Sequence, residues 1–246
     1  MTGFFDINGK IFSEKEARIS PFDRGFLLGD GCFEVLLVKE GRFFFFEDHL
    51  KRLFSSLDRL EIKGFLTKKL IKKRCEHLLK KANYQKAYLR IMVTRGTGLG
   101  FQSLEDFSPN LYLYIRELPE AKTELVPLKL KTCDLGFTCR QVKDKSNNYQ
   151  DSLAFLVKVR KDGFQDILWV NSHDELTEAS AANIFFLKKK KEKITLETPA
   201  LESGILPGVT RLNLIRACDK KGVEVREKKI YKNDLTDYDG CFLTSA

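Results

Sequence analysis

In the first half of the chain, stretches with the two-residue hydrophobic period of a strand alternate with stretches that have the three- to four-residue period of a helix. Alternating apolar residues flank Asn8-Gly9, a dipeptide that favours a type I′ turn, so the chain is predicted to open with a hairpin. A glycine-rich loop is predicted from Gly25 to Gly31. Apolar residues then recur every three or four positions after Asp48, which predicts an amphipathic helix with Asp48 as its N-cap. The other predicted elements are strands at 32–38, 42–46, 87–96 and 109–118 and a basic helix at 67–82.

The second half of the chain is also predicted to contain both helices and strands, and it begins after a segment without hydrophobic periodicity. The segment RELPEAKTELVP carries two prolines and several charges, which is typical of an interdomain connector. Strands are predicted at 128–137, 166–172, 182–189 and 193–199, helices at 150–163 and 209–222, and a final strand before CFLTSA. The sequence therefore predicts a mixed α+β fold with two domains, 1–116 and 127–246, joined by a connector at 117–126.

Composition places the chain among ordinary globular proteins. Its 246 residues are 43% hydrophobic and 31% charged, with no apolar run long enough to span a bilayer and no signal-peptide pattern at the N-terminus. Six scattered cysteines contain no C-x-x-C pair, and three scattered histidines have no metal-ligand spacing, so neither a disulfide framework nor a metal site is predicted. We expect a cytoplasmic protein without a membrane partner.

The net charge of +9 is compatible with a nucleic-acid partner or with a small anionic ligand. Lysines are spread through the chain and mixed with acidic residues, whereas a nucleic-acid surface usually concentrates its basic residues on one face. No nucleic-acid partner is therefore expected. An anionic small substrate or a phosphate-bearing cofactor would also suit the excess positive charge.

Five local features have chemical potential, although each has an ordinary alternative. Lys145 lies in the polar turn KSNNY, and Glu178 lies at a predicted strand end in LTEASAANIF. PGVTR places backbone N–H groups and a Thr hydroxyl at a helix start, which can bind phosphate. Arg52 lies off the apolar stripe of its helix, and GTGLG at 96–100 lacks the spacing of a dinucleotide loop. A lysine in a turn is most often only a solvated charge.

Six motifs in register resemble one enzyme family. DRGFLLGDGCFE, DHLKRLFSS, VTRGTG, KSNNYQDSLA, LTEASAANIF and LPGVTR occur in the order seen in class IV aminotransferases, the fold-type IV pyridoxal-phosphate enzymes, over nearly the whole chain. The resemblance implies a homodimeric, two-domain enzyme with mixed sheets and packed helices, and pyridoxal 5'-phosphate as its cofactor.

The resemblance also implies roles for single residues. Lys145, rather than Lys143, matches the lysine that forms the Schiff base with the cofactor, because Asn148 follows it by three residues as in the D-amino-acid transaminase and aminodeoxychorismate lyase branches. Glu178 matches the carboxylate that bonds the pyridine nitrogen, and Asn183 its supporting partner.

Four further residues are implied to contact the cofactor. Arg52 matches the phosphate-binding arginine, and Val209 and Thr210 match phosphate contacts at a helix start. Tyr149 is implied to contact the phenolic side of the ring.

The positions expected to determine substrate specificity hold residues that differ from those of the related enzymes. Gly100 and Gln102 stand where D-amino-acid transaminases place Arg and His, which disfavours that activity. The lyases tend to have Arg at the position of Gly100 and Thr at the position of Glu34. The candidate substrate-side residues are Phe33, Gly100, Thr244 and Ser245, and relatives continue beyond the pair that matches the last two, whereas this sequence stops at Ala246.

The leading hypothesis from sequence is a 4-amino-4-deoxychorismate lyase of folate synthesis, which releases pyruvate to give p-aminobenzoate. The alternative is a branched-chain or other class IV amino-acid aminotransferase. A second alternative is a cofactor-binding protein with little catalysis, or a basic nucleic-acid binder that reuses the scaffold.

Overall fold

The fold of the chain is known from a computed structural model, which describes residues 3–100, 107–119, 126–135, 143–191 and 193–246. The chain divides into two compact units: unit 1 is Met1–Thr123 with Lys145–Asn148, and unit 2 is Glu124–Asp144 with Tyr149–Ala246. Both mix helices and strands, as the sequence predicts. The domain boundaries predicted at 117–126 stay a prediction, and most of that connector lies outside the described residues.

Unit 1 is a six-stranded sheet whose two longer helices pack on one face. Its elements are β1 (Phe4–Ile7), β2 (Lys10–Ser13), α1 (Arg24–Leu28), β3 (Gly31–Lys39), β4 (Arg42–Phe43), α2 (Phe46–Arg59), α3 (Lys68–Ala82), β5 (Lys86–Thr94) and β6 (Asn110–Glu117). The strand order is β2-β1-β6-β5-β3-β4, and all pairs are antiparallel. The predicted opening hairpin is confirmed, with Asn8 and Gly9 both at positive φ (49° and 98°).

The core of unit 1 lies on one face of the sheet, so the residues on the two faces have different surroundings. Alternate residues of β3 and β5, including Leu36 and Ile91, are fully buried in one cluster with Leu50, Leu53 and Leu78 of α2 and α3. Residues between them, such as Phe33 and Arg90, therefore point to the opposite face. Lys145 lies beside Phe33 on that opposite face.

Three local predictions in unit 1 are wrong. Residues predicted as a glycine-rich loop form the short helix α1, because the Asp23 carboxylate accepts a hydrogen bond from the Gly25 amide and caps it. The strand predicted at 42–46 ends at Phe43. Phe45 adopts a left-handed conformation (φ 51°) and becomes the N-cap of α2, three residues before the predicted Asp48. The helix predicted at 67–82 is confirmed as α3, and the hydroxyl of its N-cap Thr67 accepts a hydrogen bond from the Leu70 amide.

Residues 145–148 belong to unit 1 although their neighbours along the chain belong to unit 2. The Phe33 amide donates to the Lys145 carbonyl at 2.9 Å, and the Asn147 amide donates to the Gly31 carbonyl at 3.2 Å. Cys32 and Ser146 form the antiparallel bridge between these bonds. Lys145 is therefore held by strand-type pairing with the start of β3 rather than by a free turn.

Unit 2 contains a four-stranded and a three-stranded sheet, ordered β12-β11-β10-β13 and β7-β8-β9. Its elements are β7 (Leu130–Asp134), α4 (Gln150–Lys161), β8 (Asp166–Val170), β9 (Leu176–Ala179), β10 (Asn183–Lys190), β11 (Lys193–Pro199), α5 (Val209–Lys220), β12 (Glu224–Lys228), β13 (Gly240–Thr244) and short 3-10 helices at Leu201–Ser203 and Lys232–Asp237. Its cores pack Ile184 and Phe186 against the three-stranded sheet and Phe185 against α5.

Two features of unit 2 differ from the sequence prediction. Glu178 lies inside a strand, β9, rather than before one, because LTEA is too short to show a period. The strand predicted at 182–189 extends as β10 to Lys190, one residue beyond the predicted end, and Lys191 follows in a left-handed conformation at φ 54°. Within the described ranges, no helix has the length and apolar character needed to cross a membrane.

Candidate active site

In unit 1, the Lys145 amine lies over an aromatic ring. Its Nζ is 4.7 Å from the centroid of the Phe33 ring, and its backbone is paired with the same residue. An ammonium over a ring face is attracted by the ring quadrupole, and Phe33 is only 6% exposed. Phe33 therefore holds the Lys145 amine in place, which links two residues that the sequence assigned separately.

The spacing of Asn148 has a structural reason. Gly29 follows α1 in a left-handed conformation (φ 67°), and a Cβ on it would lie 1.9 Å from Oδ1 of Asn148. Gly29 must therefore lack a side chain for Asn148 to pack there. Asn148, which packs on Gly29, lies three positions after Lys145, which lies over Phe33, so the K-x-x-N motif docks the lysine segment at two points of unit 1.

Arg90 is a residue that sequence reasoning missed. Its guanidinium carbon lies 3.8 Å from the centroid of the Phe33 ring, on the face of the sheet that carries Lys145. Its buried Nε has no hydrogen-bond partner among the described residues. A buried cationic N–H without an acceptor is unfavourable, so this group is available to an anionic ligand. The signal in the sequence was an arginine at a non-core position of a strongly alternating strand.

Arg52, the predicted phosphate ligand, lies on the helix face of the sheet. Its Nε and Nη2 donate to the two oxygens of Glu34, each at 2.7 Å, and His49 Nδ1 lies 2.7 Å from the same carboxylate. Burial raises the pKa of Glu34, but the bonds from Arg52 and His49 outweigh burial and leave the pKa below its usual value. Glu34 thus fixes the plane of the Arg52 guanidinium. The contact of Arg52 with phosphate stays a prediction.

The predicted substrate loop is anchored at its start. Arg24, 2% exposed, donates to the Gly100 carbonyl and pairs with Asp30 at 2.9 Å. Arg95 pairs with the same carboxylate at 2.9 Å. Gly100 itself has φ 79°, a conformation that favours glycine. Gln102 lies outside the described residues.

In unit 2, one oxygen of Glu178 is held by two fixed donors. The Leu206 amide donates to Oε2 at 2.9 Å, and Asn183 Nδ2 donates to the same oxygen at 3.1 Å while also donating to the Leu206 carbonyl at 2.9 Å. Glu178 is 8% exposed. These bonds fix the direction of the carboxylate, and the role of Asn183 in supporting cofactor binding stays a prediction.

The other oxygen of Glu178 binds a cation. Lys143 Nζ lies 3.1 Å from Oε1, and the side chain of Lys143 is 30% exposed. The ammonium stands in for a positively charged N–H donor, which is the form that a protonated pyridine ring presents. The Glu178 carboxylate is therefore suited to such a ring in both its orientation and its charge preference.

The start of α5 is packed against the Glu178 cluster. A Cβ on Gly208, the N-cap of α5, would lie 1.9 Å from Asn183 Oδ1, so glycine is required there. Arg211 is buried and donates to the Pro199 carbonyl and to Glu227, both at 2.8 Å, which ties the helix start to β11 and β12. First-turn amides of a helix have no partner within the helix, so those of Val209 and Thr210 are suited to phosphate.

The end of β13 lies beside this helix start. The Thr210 hydroxyl donates to the Ser245 carbonyl at 3.0 Å, so its proton is directed to the chain rather than to a ligand. Thr244 pairs with Asn183 across β10 and β13, and its buried Oγ1 has no partner in the described part of the chain. An orphaned hydroxyl here is available to a ligand.

Tyr149, predicted at the phenolic side of the ring, is the N-cap of α4, and its carbonyl accepts from the Leu153 amide. Its contact with a cofactor ring stays a prediction. The three groups of unit 2 that fit pyridoxal 5'-phosphate are the oriented Glu178 carboxylate, the glycine-bounded start of α5 and the orphaned Thr244 hydroxyl.

Comparison with known proteins gives the family. Residues 31–246 match the family model described as Amino-transferase class IV. The chain is 30% identical over 243 residues to a protein of Methanocaldococcus jannaschii named as a branched-chain-amino-acid aminotransferase, covering 98% of this chain and 83% of that protein. It is 26% identical over 247 residues to the aminodeoxychorismate lyase of Bacillus subtilis, covering 98% and 82%.

A solved structure shows the same fold. The branched-chain aminotransferase of Thermoproteus uzoniensis with norvaline superposes with a TM-score of 0.87 at 20% identity, covering 100% of this chain and 84% of that one. The resemblance drawn from the six sequence motifs is confirmed. The chain belongs to the class IV aminotransferases, a family of fold-type IV enzymes that use pyridoxal 5'-phosphate.

Proposed function

We propose that this enzyme binds pyridoxal 5'-phosphate through Glu178 and Lys145 and transfers amino groups from an amino acid that bears a carboxylate. The observation that carries the proposal is the Glu178 carboxylate, with Oε2 fixed by Leu206 and Asn183 and Oε1 facing a cationic donor. A carboxylate so fixed keeps a ring nitrogen protonated.

The cofactor, when bound, supplies an electron sink for the negative charge that develops at the substrate Cα. Glu178 holds the proton at the ring nitrogen. Lys145 would hold the cofactor through its Nζ and would move the proton at the substrate Cα as general base and acid. Phe33 orients the amine for that transfer, since it lies beneath Nζ.

The contrast between the two lysines supports the choice of Lys145. The ring nitrogen and the aldehyde-bearing carbon are para to each other in the pyridine ring, so they face opposite ways. Lys143 is bound to the carboxylate proposed for the ring nitrogen, whereas Lys145 is held over Phe33 by backbone pairing and a ring contact. Lys143 is therefore at the wrong end for the aldehyde.

The phosphate is proposed to bind the amides of Val209 and Thr210 at the start of α5. Thr244 Oγ1, buried and without a partner among the described residues, is proposed as a further contact on the same side. Arg52 is proposed to add positive charge, with its guanidinium held in plane by Glu34.

Arg90 supports a substrate that carries a carboxylate. It stacks on the Phe33 ring that also contacts Lys145, and its Nε lacks an acceptor within the described residues. A guanidinium is the group best suited to a carboxylate because its N–H fork matches the two oxygens. We place amino-acid transamination first because the relative with 30% identity is named as an aminotransferase.

A second candidate is the 4-amino-4-deoxychorismate lyase activity, which would release pyruvate and give p-aminobenzoate. It is favoured by the Lys145 to Asn148 spacing, which docks the lysine segment on Phe33 and Gly29. The lyase of B. subtilis shares 26% identity with the chain. Arg90 suits this substrate equally, since it too carries carboxylates.

The test of the cofactor proposal is optical and chemical. Protein supplied with pyridoxal 5'-phosphate should absorb in the near visible, and borohydride should fix the cofactor on the peptide that contains Lys145. Lys145→Ala should lose both, whereas Lys131→Ala, at an exposed lysine, should keep both. Wild-type protein with no absorbance band and no fixed cofactor would refute the proposal.

Two parallel assays separate the activities. One supplies amino acids with 2-oxoglutarate and measures the oxo-acid product, and the other supplies aminodeoxychorismate and measures pyruvate and p-aminobenzoate. Turnover only in the second reverses our ranking. Cofactor fixed on Lys145 with turnover in neither would favour a binding protein with little catalysis.

The predictions of a homodimer and of a cytoplasmic location belong with this proposal. The first is checked by light scattering of the purified protein and the second by fractionation of the cells that express it.

A further inference from the structure

We propose that Lys143 is an internal counter-ion of Glu178 that the ring nitrogen of the cofactor must displace, so that Lys143 weakens cofactor binding. The inference rests on the proposed function, since it concerns the same carboxylate. It adds a residue whose removal should tighten rather than abolish binding.

The two oxygens of Glu178 differ in how firmly their donors are held. Oε2 is bound by a backbone amide and by Asn183, whose own position is fixed by the Leu206 carbonyl. Oε1 is bound by Lys143, which reaches it at the end of a flexible four-carbon chain and is 30% exposed. A new donor to Glu178 therefore binds at Oε1, and the donor that it replaces is the Lys143 ammonium.

Lys143 and a protonated ring nitrogen compete because they make the same interaction. Both are cationic N–H donors to one oxygen, and two positive charges at that distance repel each other. Lys143 can withdraw to solvent because almost a third of its side chain is already exposed. Binding of the cofactor then exchanges one ion pair for another instead of forming a new one.

The same ion pair stabilises the protein without cofactor. Glu178 is 8% exposed, and a nearly buried carboxylate needs a cation or strong donors. Replacing Lys143 by an apolar residue leaves only the Oε2 donors, so the cofactor-free protein is destabilised. Binding of the cofactor should then stabilise the variant more than it stabilises the wild type.

The experiment compares Lys143→Met with Lys131→Met by titration with pyridoxal 5'-phosphate. Lys131 Nζ lies 2.6 Å from Asp162 on the surface of the same unit, so Lys131→Met also removes one lysine-carboxylate pair and one positive charge. Lys143→Met should bind the cofactor about three- to tenfold more tightly than the wild type, the size expected for a partly exposed ion pair. Lys131→Met should bind as the wild type does.

Lys143→Arg gives the opposite result and guards against poor folding of the methionine variant. An arginine can grip the carboxylate with two N–H groups, so cofactor binding should be weaker than in the wild type. The melting temperature with and without cofactor provides a second measure. The shift on binding should be largest in Lys143→Met and smallest in Lys143→Arg.

The outcomes separate this inference from the proposed function. Cofactor fixed on Lys145 in the wild type, with unchanged or weaker binding in Lys143→Met, overturns the inference alone. Cofactor fixed on Lys143 overturns it together with the assignment of Lys145. Wild-type protein that binds no cofactor overturns both proposals.

Discussion

Lys145 Nζ lies 4.7 Å from the centroid of the Phe33 ring, and the backbones of the two residues are hydrogen-bonded. Phe33→Leu keeps apolar volume but removes the ring face. Because a contact of this kind contributes about 0.5–1 kcal/mol, we expect kcat/KM to fall about two- to fivefold. Phe33→Tyr, which keeps the ring, should retain most of the activity. Equal losses in both variants would show that the ring face is not the relevant feature.

Arg90→Met should affect the substrate and leave the cofactor in place. We expect KM for the carboxylate-bearing substrate to rise about 10- to 100-fold, the size of a lost hydrogen bond to a charged group. Borohydride should still fix the cofactor on Lys145. Arg116→Met, at an exposed position of β6, is the matched control and should change neither quantity. An Arg90 variant with normal KM would contradict the assignment.

Glu34→Gln tests the carboxylate that binds Arg52 and His49. The variant leaves a mostly buried guanidinium without its counter-charge, so the free energy of unfolding should fall by about 3–5 kcal/mol. Glu47→Gln, at a carboxylate that is 73% exposed, should lower it by less than about 0.5 kcal/mol. Denaturant titration followed by circular dichroism gives both values.

The dependence of stability on pH follows from the same residue. The pKa of Glu34 is lower in the folded protein than in the unfolded chain, so its contribution is fully present above the unfolded pKa of about 4.3. The contribution is lost as the pH falls through the folded pKa. We expect the difference in unfolding free energy between wild type and Glu34→Gln to shrink in acid, below about pH 4. A difference that stays constant between neutral and acid pH would contradict the lowered pKa.

Gly208→Ala tests the start of α5. The new Cβ would overlap Asn183 Oδ1, so Asn183 must move and Glu178 loses a fixed donor. We expect cofactor affinity to fall about tenfold, the size of a lost bond to a carboxylate. Gly240→Ala, where a Cβ meets no atom within 4 Å and φ is not positive, is the matched control. Affinity that is equal in both variants would show that this contact does not govern binding.

The sequence was sufficient for the long elements and for the family, since α3, α5 and the opening hairpin have strong periods or turn signals. The prediction from sequence was wrong where tertiary packing, rather than local propensity, determines the backbone conformation. The start of α2 is set by Phe45, which takes a left-handed conformation that no propensity predicts. Arg90 was missed because an arginine at a non-core strand position usually points to solvent.

The placement of Lys145–Asn148 in unit 1 has a consequence for synthesis of the chain. The edge of β3 at Gly31 to Phe33 pairs with residues made more than a hundred positions later. While the ribosome is still translating, unit 1 can form its sheet and helices, but this edge stays open until Asn148 has emerged. A fragment that ends before residue 120 would therefore contain Phe33 but not the Lys145 amine that lies over its ring, and it would expose an unpaired strand edge.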